Sequence, residues 1–260
     1  PYYFVPGLSR HPAMAAAGLI AFGYGMTGWV NHTAWGGALT LVGVAWVLYV
    51  LYHWFGDTIA ESNSGKNGVN VDISYRWSMA WFIFSEIMFF GAFFSALFYA
   101  RNIAMPWMGD VESKLLWPDF QAVWPNDGPA GLVEKFTTMG PWPIPTINTL
   151  LLLSSGVTIT IAHHALVESH MKKAVNFLAA TVVLGAIFLG FQAYEYYHAY
   201  HALNLKLTSG IYGSTFFLAT GFHGFHVIIG TIFLLVCLIR ASKGAFTPKA
   251  HFGLEAAAWY

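Results

Sequence analysis

The sequence predicts an all-α fold, a polytopic transmembrane helical bundle of seven helices, six complete and a seventh begun. Three observations predict it. Of 260 residues, 57% are hydrophobic and only 9% charged, whereas soluble domains carry about 25% charged residues. So few polar groups cannot cover a surface in water, so lipid is the expected solvent. Six apolar runs each approach or exceed the roughly 20 residues that a helix needs to cross a bilayer, whereas barrel strands alternate in character over about 10 residues. Finally, all eleven prolines fall outside these runs.

The chain reads as a single membrane domain, 1–260. The first run, 13–30, spans a membrane and shows no cleavage pattern, so it is expected to be a retained helix. Its Ala17, Ala21 and Gly25 recur every four residues, a small-residue stripe that permits close helix approach. The second run, 35–55, is followed by Asp57 and Glu61, which share a face if the helix continues. The third, 77–100, carries Glu86 near its middle. Segment 101–145 holds seven prolines, four tryptophans and five acidic residues, the expectation for a wet external loop near the headgroups. Three further spans follow at 146–167, 174–194 and 211–239, and a seventh helix begins at 252–260.

Basic residues set the expected orientation. With the N-terminus on the cytoplasmic side, inner segments hold eight Lys and Arg and outer segments four. Twelve basic residues balance twelve acidic ones, and nothing forms the basic face that nucleic acid requires. Cys237 is the only cysteine, which excludes an internal disulfide or a cysteine-only metal cluster.

Glu86 is the one formally charged residue inside the six runs. A carboxylate at that depth costs several kcal/mol unless it is protonated, partnered or hydrated. His223 and His226 lie at about the same depth with i, i+3 spacing, roughly on one helix face, and either is a possible partner for Glu86. A metal there would need more ligands at that level than the spans supply. His163 and His164 are adjacent, diverge by about 100° on a helix and cannot grip one ion together. They read as part of an interfacial polar cluster. A b-type cytochrome would need histidines on facing helices at matched depth, and a transporter would tend to show repeats, broken helices or several buried charges. Neither pattern is present.

Several runs resemble cytochrome c oxidase subunit III. They are Ser85-Glu86-Ile87-Met88-Phe89-Phe90, Ser155-Gly156-Val157-Thr158 leading to Ala162-His163-His164, and Gln192-Ala193-Tyr194-Glu195-Tyr196-Tyr197. The longest is Gly210-Ile211-Tyr212-Gly213-Ser214-Thr215 continuing through Gly221-Phe222-His223-Gly224-Phe225-His226, and the chain ends His251-Phe252-Gly253-Leu254-Glu255-Ala256-Ala257-Ala258-Trp259-Tyr260. The resemblance implies seven helices, with two split from the other five by a cleft that holds phospholipid. It implies partners, oxidase subunits I and II, which carry the haem and copper, with cytochrome c as substrate of the complex and protons pumped outward. No catalytic residue, cofactor or metal is expected on this chain, whose role is to support proton uptake and oxygen access and to protect the catalytic subunit. By the same resemblance Glu86 matches a buried glutamate that reacts with a hydrophobic carbodiimide. Trp54, Glu61, Ser62, Arg240, Lys243 and His251 match lipid-contacting positions. The alternative is subunit III of a related quinol oxidase, though such chains often begin at the third helix. The long 101–145 loop resembles bacterial members, so a bacterial inner membrane is expected before a mitochondrial one.

Overall fold

A computed structural model describes residues 3–129 and 131–260. The expected all-α class is what the structure shows. The helices are α1 (His11–Val30), α2 (Gly36–Asn63), α3 (Val69–Tyr99), a π-helical turn (Ala100–Ala104), α4 (Met105–Met108), α5 (Val111–Lys114), α6 (Ile144–Val167), α7 (Met171–Ala202), α8 (Gly210–Ser242) and α9 (Phe252–Trp259). Among the described residues, six helical runs are long and apolar enough to cross a membrane. Among the described residues the only β pairing is an isolated Thr247–Ala250 bridge.

Each of these six helices overruns its apolar run at one end or both, because a helix can continue into the headgroup region where polar side chains are solvated. Thus α2 passes Phe55 to Asn63, placing Asp57 and Glu61 one turn apart, and α7 passes Tyr194 to Ala202. The longer helices take in residues that lie outside the apolar runs. Pro12 and Pro145 sit near the starts of α1 and α6, where the missing N–H costs least, and Pro106 lies near the end of the long third helical run. Glu195, one residue beyond the run that ends at Tyr194, likewise lies in α7 and is buried.

The third helix departs most from expectation. It continues unbroken from Val69 to Met108, 40 residues, roughly 60 Å at 1.5 Å per residue and about twice a hydrocarbon core. Pro106 has no N–H to give Asn102, four residues back, and the wider π turn at Ala100–Ala104 adjoins that gap. The first residues of the expected loop are therefore helical.

Three helices stop in the same way. After α1, α6 and α8, the residues His32, Ser169 and Gly244 take a positive φ of 57°, 65° and 69°. Thr33, His170 and Ala245 then donate back to Gly28, Ala165 and Arg240 at 2.9, 2.8 and 3.0 Å. These left-handed caps satisfy carbonyls that a helix end leaves open.

The chain divides into two compact units, Pro1–Tyr75 and Arg76–Tyr260, and the division falls within α3. In the first unit α1 packs on α2 through small residues. Gly18, Gly25 and Gly28 of α1 and Gly36, Thr40, Gly43 and Val50 of α2 are buried. Steps of three and four residues are a heptad-like seam, and glycines let the backbones touch. The stripe expected at Ala17, Ala21 and Gly25 is only partly right. Ala17 is exposed, and Gly18 takes its place.

In the second unit a core of small and aliphatic side chains joins α6 (Ala162, Ala165, Leu166), α7 (Ala174, Leu178), α8 (Cys237, Ala241) and α9 (Leu254, Ala257). Cys237 is buried there as a small apolar side chain. A second cluster, Ala199, Leu205 and Phe217, closes the opposite end. Between them Thr158 and Thr181 share a 2.8 Å hydrogen bond from α6 to α7. Loop residue Glu134 is held by Asn204 at 3.0 Å and Lys206 at 3.3 Å, while Thr137 donates to the carbonyl of Leu203 at 2.9 Å. These contacts tie the loop to the α7–α8 turn.

Candidate functional site

The centre of the second unit is a carboxyl–imidazole pair. Glu86 on α3 and His226 on α8 face each other, with Oε2 2.6 Å from Nε2. The other ring nitrogen of His226, Nδ1, lies 2.6 Å from the carbonyl oxygen of Phe222, one turn back on the same helix. A carbonyl only accepts, so Nδ1 carries a proton. One further proton is then shared between Nε2 and Oε2, and wherever it sits the pair has no net charge. That is how this site meets the cost of placing an acid among apolar side chains.

The surroundings are aromatic. Phe89 meets Phe222 edge-on at 4.9 Å, Phe90 lies 5.3 Å from the His226 ring, and Tyr260 stacks on that ring at 5.6 Å. The i, i+3 neighbour His223 turns to α7, edge-on to Phe188 at 5.8 Å. The structure thus joins Glu86 to one of the two candidate histidines and directs the other elsewhere.

Two cavities line the groove between α3 and α8. One of about 500 Å³ is bounded by Glu86, Phe90, Phe94, His223, His226 and Tyr260. The other, about 580 Å³, shares Phe90, Phe94 and His223 and reaches Arg101, Trp124 and Tyr212. Arg101 lies over the Trp124 ring at 5.8 Å, close enough for a cation–π contact. The shared residues make the two cavities neighbours along one largely apolar groove, from the Glu86 pair to the Arg101 end of α3.

Residues expected to contact lipid fall in both units. In the first, Trp54, Glu61 and Ser62 lie on the last turns of α2. The Trp54 ring stacks on His11 at 5.7 Å, and His11 Nε2 is 2.7 Å from Asp57 Oδ2. In the second, Arg240 lies over the Phe246 ring at 4.7 Å, and Lys243 caps α8 with its side chain exposed. His251 is different, being buried with both nitrogens engaged inside the chain. Its Nδ1 is 3.1 Å from the carbonyl of Thr247 and its Nε2 is 3.1 Å from Glu255 Oε1.

Two groupings escaped sequence reasoning. Glu195 was hidden because its flanking tyrosines end the apolar run one residue earlier. His163, read from the sequence as part of an interfacial polar cluster, meets His251 and Glu255, and Arg76 holds the same carboxylate. Glu255 Oε1 is 3.7 Å from His163 Nε2, and Oε2 is 2.7 Å from Arg76 Nη2. No spacing rule links residues so distant in sequence.

Long apolar helices packed through small residues, with an acid paired to a histidine between two of them, define a polytopic integral membrane protein. The chain belongs to the cytochrome c oxidase subunit III family, whose sequence model matches residues 1–260. It is 42% identical over 261 residues to cytochrome c oxidase subunit 3 of Marchantia polymorpha, covering 100% of this chain and 89% of that protein. It is 46% identical over 221 residues to the probable cytochrome c oxidase subunit 3 of Rickettsia bellii, covering 84% and 74%. A vertebrate relative, from Latimeria chalumnae, is 39% identical over 259 residues, covering 99% and 90%. The resemblance read from the sequence motifs is therefore borne out.

Proposed function

We propose that this chain is the non-redox third subunit of a terminal respiratory oxidase that oxidises cytochrome c, reduces oxygen to water and pumps protons. Haem and copper then sit in partner subunits I and II. The observation that carries the reading is the neutral Glu86–His226 pair set in an apolar groove. A pair whose only shared proton is held between its own members suits shaping a hydrophobic path, along which oxygen partitions readily, more than it suits driving redox chemistry. Phospholipid is proposed at Trp54, Glu61 and Ser62 on the first unit and at Arg240 and Lys243 on the second. The buried ring of His251 is left out of that set. The eight-to-four distribution of Lys and Arg supports a cytoplasmic N-terminus. The long segment 101–145 between the third and fourth spans favours a bacterial inner membrane.

Purification in mild detergent tests the assembly. Larger subunits bearing haem and copper are expected to accompany the chain, and a chain that purifies alone, or shows its own Soret band, overturns the reading. Glu86→Gln tests the supporting role. Oxygen uptake and proton ejection in vesicles are expected to fall by less than tenfold. A larger loss, above about 1.4 kcal/mol in barrier, would place Glu86 in the chemistry itself.

A further inference from the structure

Where α6 gives way to α7, the second unit gathers three metal-ligating side chains from distant parts of the sequence. His163 comes from the last turns of α6, His251 from the residue capping α9, and Glu255 from the first turn of α9. Their ligand atoms all lie within 4.8 Å of one another. We propose that His163, His251 and Glu255 form a binding site for a divalent transition-metal ion of the zinc type.

The hydrogen bonds around the three side chains leave room for a cation. His251 Nδ1 faces the Thr247 carbonyl at 3.1 Å, which puts a proton on that nitrogen. With Nδ1 protonated, His251 Nε2 and Glu255 Oε1 lie 3.1 Å apart and share one proton, which a bound cation would displace. His163 Nε2 is buried without a hydrogen-bond partner and lies 3.7 Å from the same oxygen. Arg76 holds the other carboxylate oxygen through Nη2 at 2.7 Å and Nε at 3.0 Å, leaving Oε1 turned toward both rings. Two imidazole nitrogens and one anionic oxygen thus converge on a point that a cation would satisfy.

The donor set selects the ion. Two imidazoles and a carboxylate suit zinc, whereas calcium and magnesium prefer oxygen alone. Tetrahedral zinc with bonds of about 2.0–2.2 Å sets its ligand atoms about 3.4 Å apart, and the distances to Oε1 bracket that value. The Thr247 carbonyl and the Arg76 guanidinium orient the ligands from behind, as outer partners do in metal sites. The Arg76 charge lowers affinity, so the site is expected to bind zinc reversibly. The His163 side chain is 34% exposed, which leaves a way in for the ion and room for a water. Bound there, the ion would fasten α9 to α6 and, through Arg76, to α3.

The test uses the full chain in its detergent-purified assembly, stripped with EDTA and dialysed against radioactive Zn²⁺ alone. Comparison with His163→Ala and Glu255→Gln cancels zinc held elsewhere. The wild type is expected to bind one equivalent that both variants lose or bind at least tenfold more weakly. Anomalous scattering at the zinc edge should place that equivalent among the three side chains. Equal zinc uptake by wild type and His163→Ala overturns the proposal, as does a zinc signal elsewhere or a wild type that binds none because His251 is an imidazolium. Should Glu255→Gln fail to assemble, His163→Ala decides alone, since its side chain is partly exposed.

Discussion

Replacing Gly25 with alanine puts a methyl group where the backbone of α2 already lies. An ideal Cβ at Gly25 would stand 2.4 Å from the Thr40 nitrogen and 2.8 Å from both the Leu39 carbonyl carbon and Thr40 Cα. Ordinary Cβ contacts are 3.4–4 Å, so α1 must withdraw by about 1 Å, a gap that forfeits a quarter to a half of each dispersion contact along the seam. Backbone atoms cannot swing aside as a flexible side chain can. Overpacking of this kind costs about 2 kcal/mol, a factor of roughly 30 in the folded-to-unfolded ratio. Gly23 supplies the control, because it lies in the same helix and its Cβ would meet nothing within 4 Å. Both substitutions share the helix-propensity gain of alanine over glycine, so their difference isolates the steric cost. The assay is detergent-driven unfolding of the purified chain, followed by tryptophan fluorescence. Gly25→Ala is expected to unfold at lower denaturant than Gly23→Ala. A difference below about 0.5 kcal/mol, the range of ordinary surface changes, would refute close backbone contact at this point of the seam.

Two further outcomes are expected. Thr181→Val removes the 2.8 Å bond to Thr158 in a buried position. It should cost about 0.6 kcal/mol, with a double-mutant cycle against Thr158→Val showing coupling of the same sign and no coupling counting against the bond. The hydrogen bonds from Asn204 and Lys206, with the Lys206 charge, hold the Glu134 carboxyl below the usual carboxylate range. A lowered folded pKa contributes stability that is complete above the ordinary value and is lost as pH falls through the lowered one. Hydrogen exchange of the 131–140 segment should therefore quicken below about pH 4, and Glu134→Gln should abolish that step. A wild-type segment insensitive to acid would remove the ion pair from the account.

The solvent of this protein, its helical class and its approximate helix count were legible in composition and run length. A chain with 9% charged residues has few ways to satisfy its surface, and apolar runs of span length leave helices as the solution that pairs every backbone group within the segment. Glu86 was legible for the same reason, since an acid among apolar neighbours stands out in one dimension. The extra turns of α3 beyond Ala100 were not, because helix continuation past a proline depends on how a π turn redistributes carbonyls around it.

Sequence periodicity is local, so it placed His223 and His226 on one face at one depth and could go no further. Which ring meets Glu86 depends on the rotation and register of α8 against α3, and those follow from packing distributed over the whole second unit. The same limit hid the meeting of His163 with His251 and Glu255. Lipid compatibility is written residue by residue and can be summed along a chain. Partnership between helices is a property of surfaces that exist only after folding, so only the tertiary structure decides it.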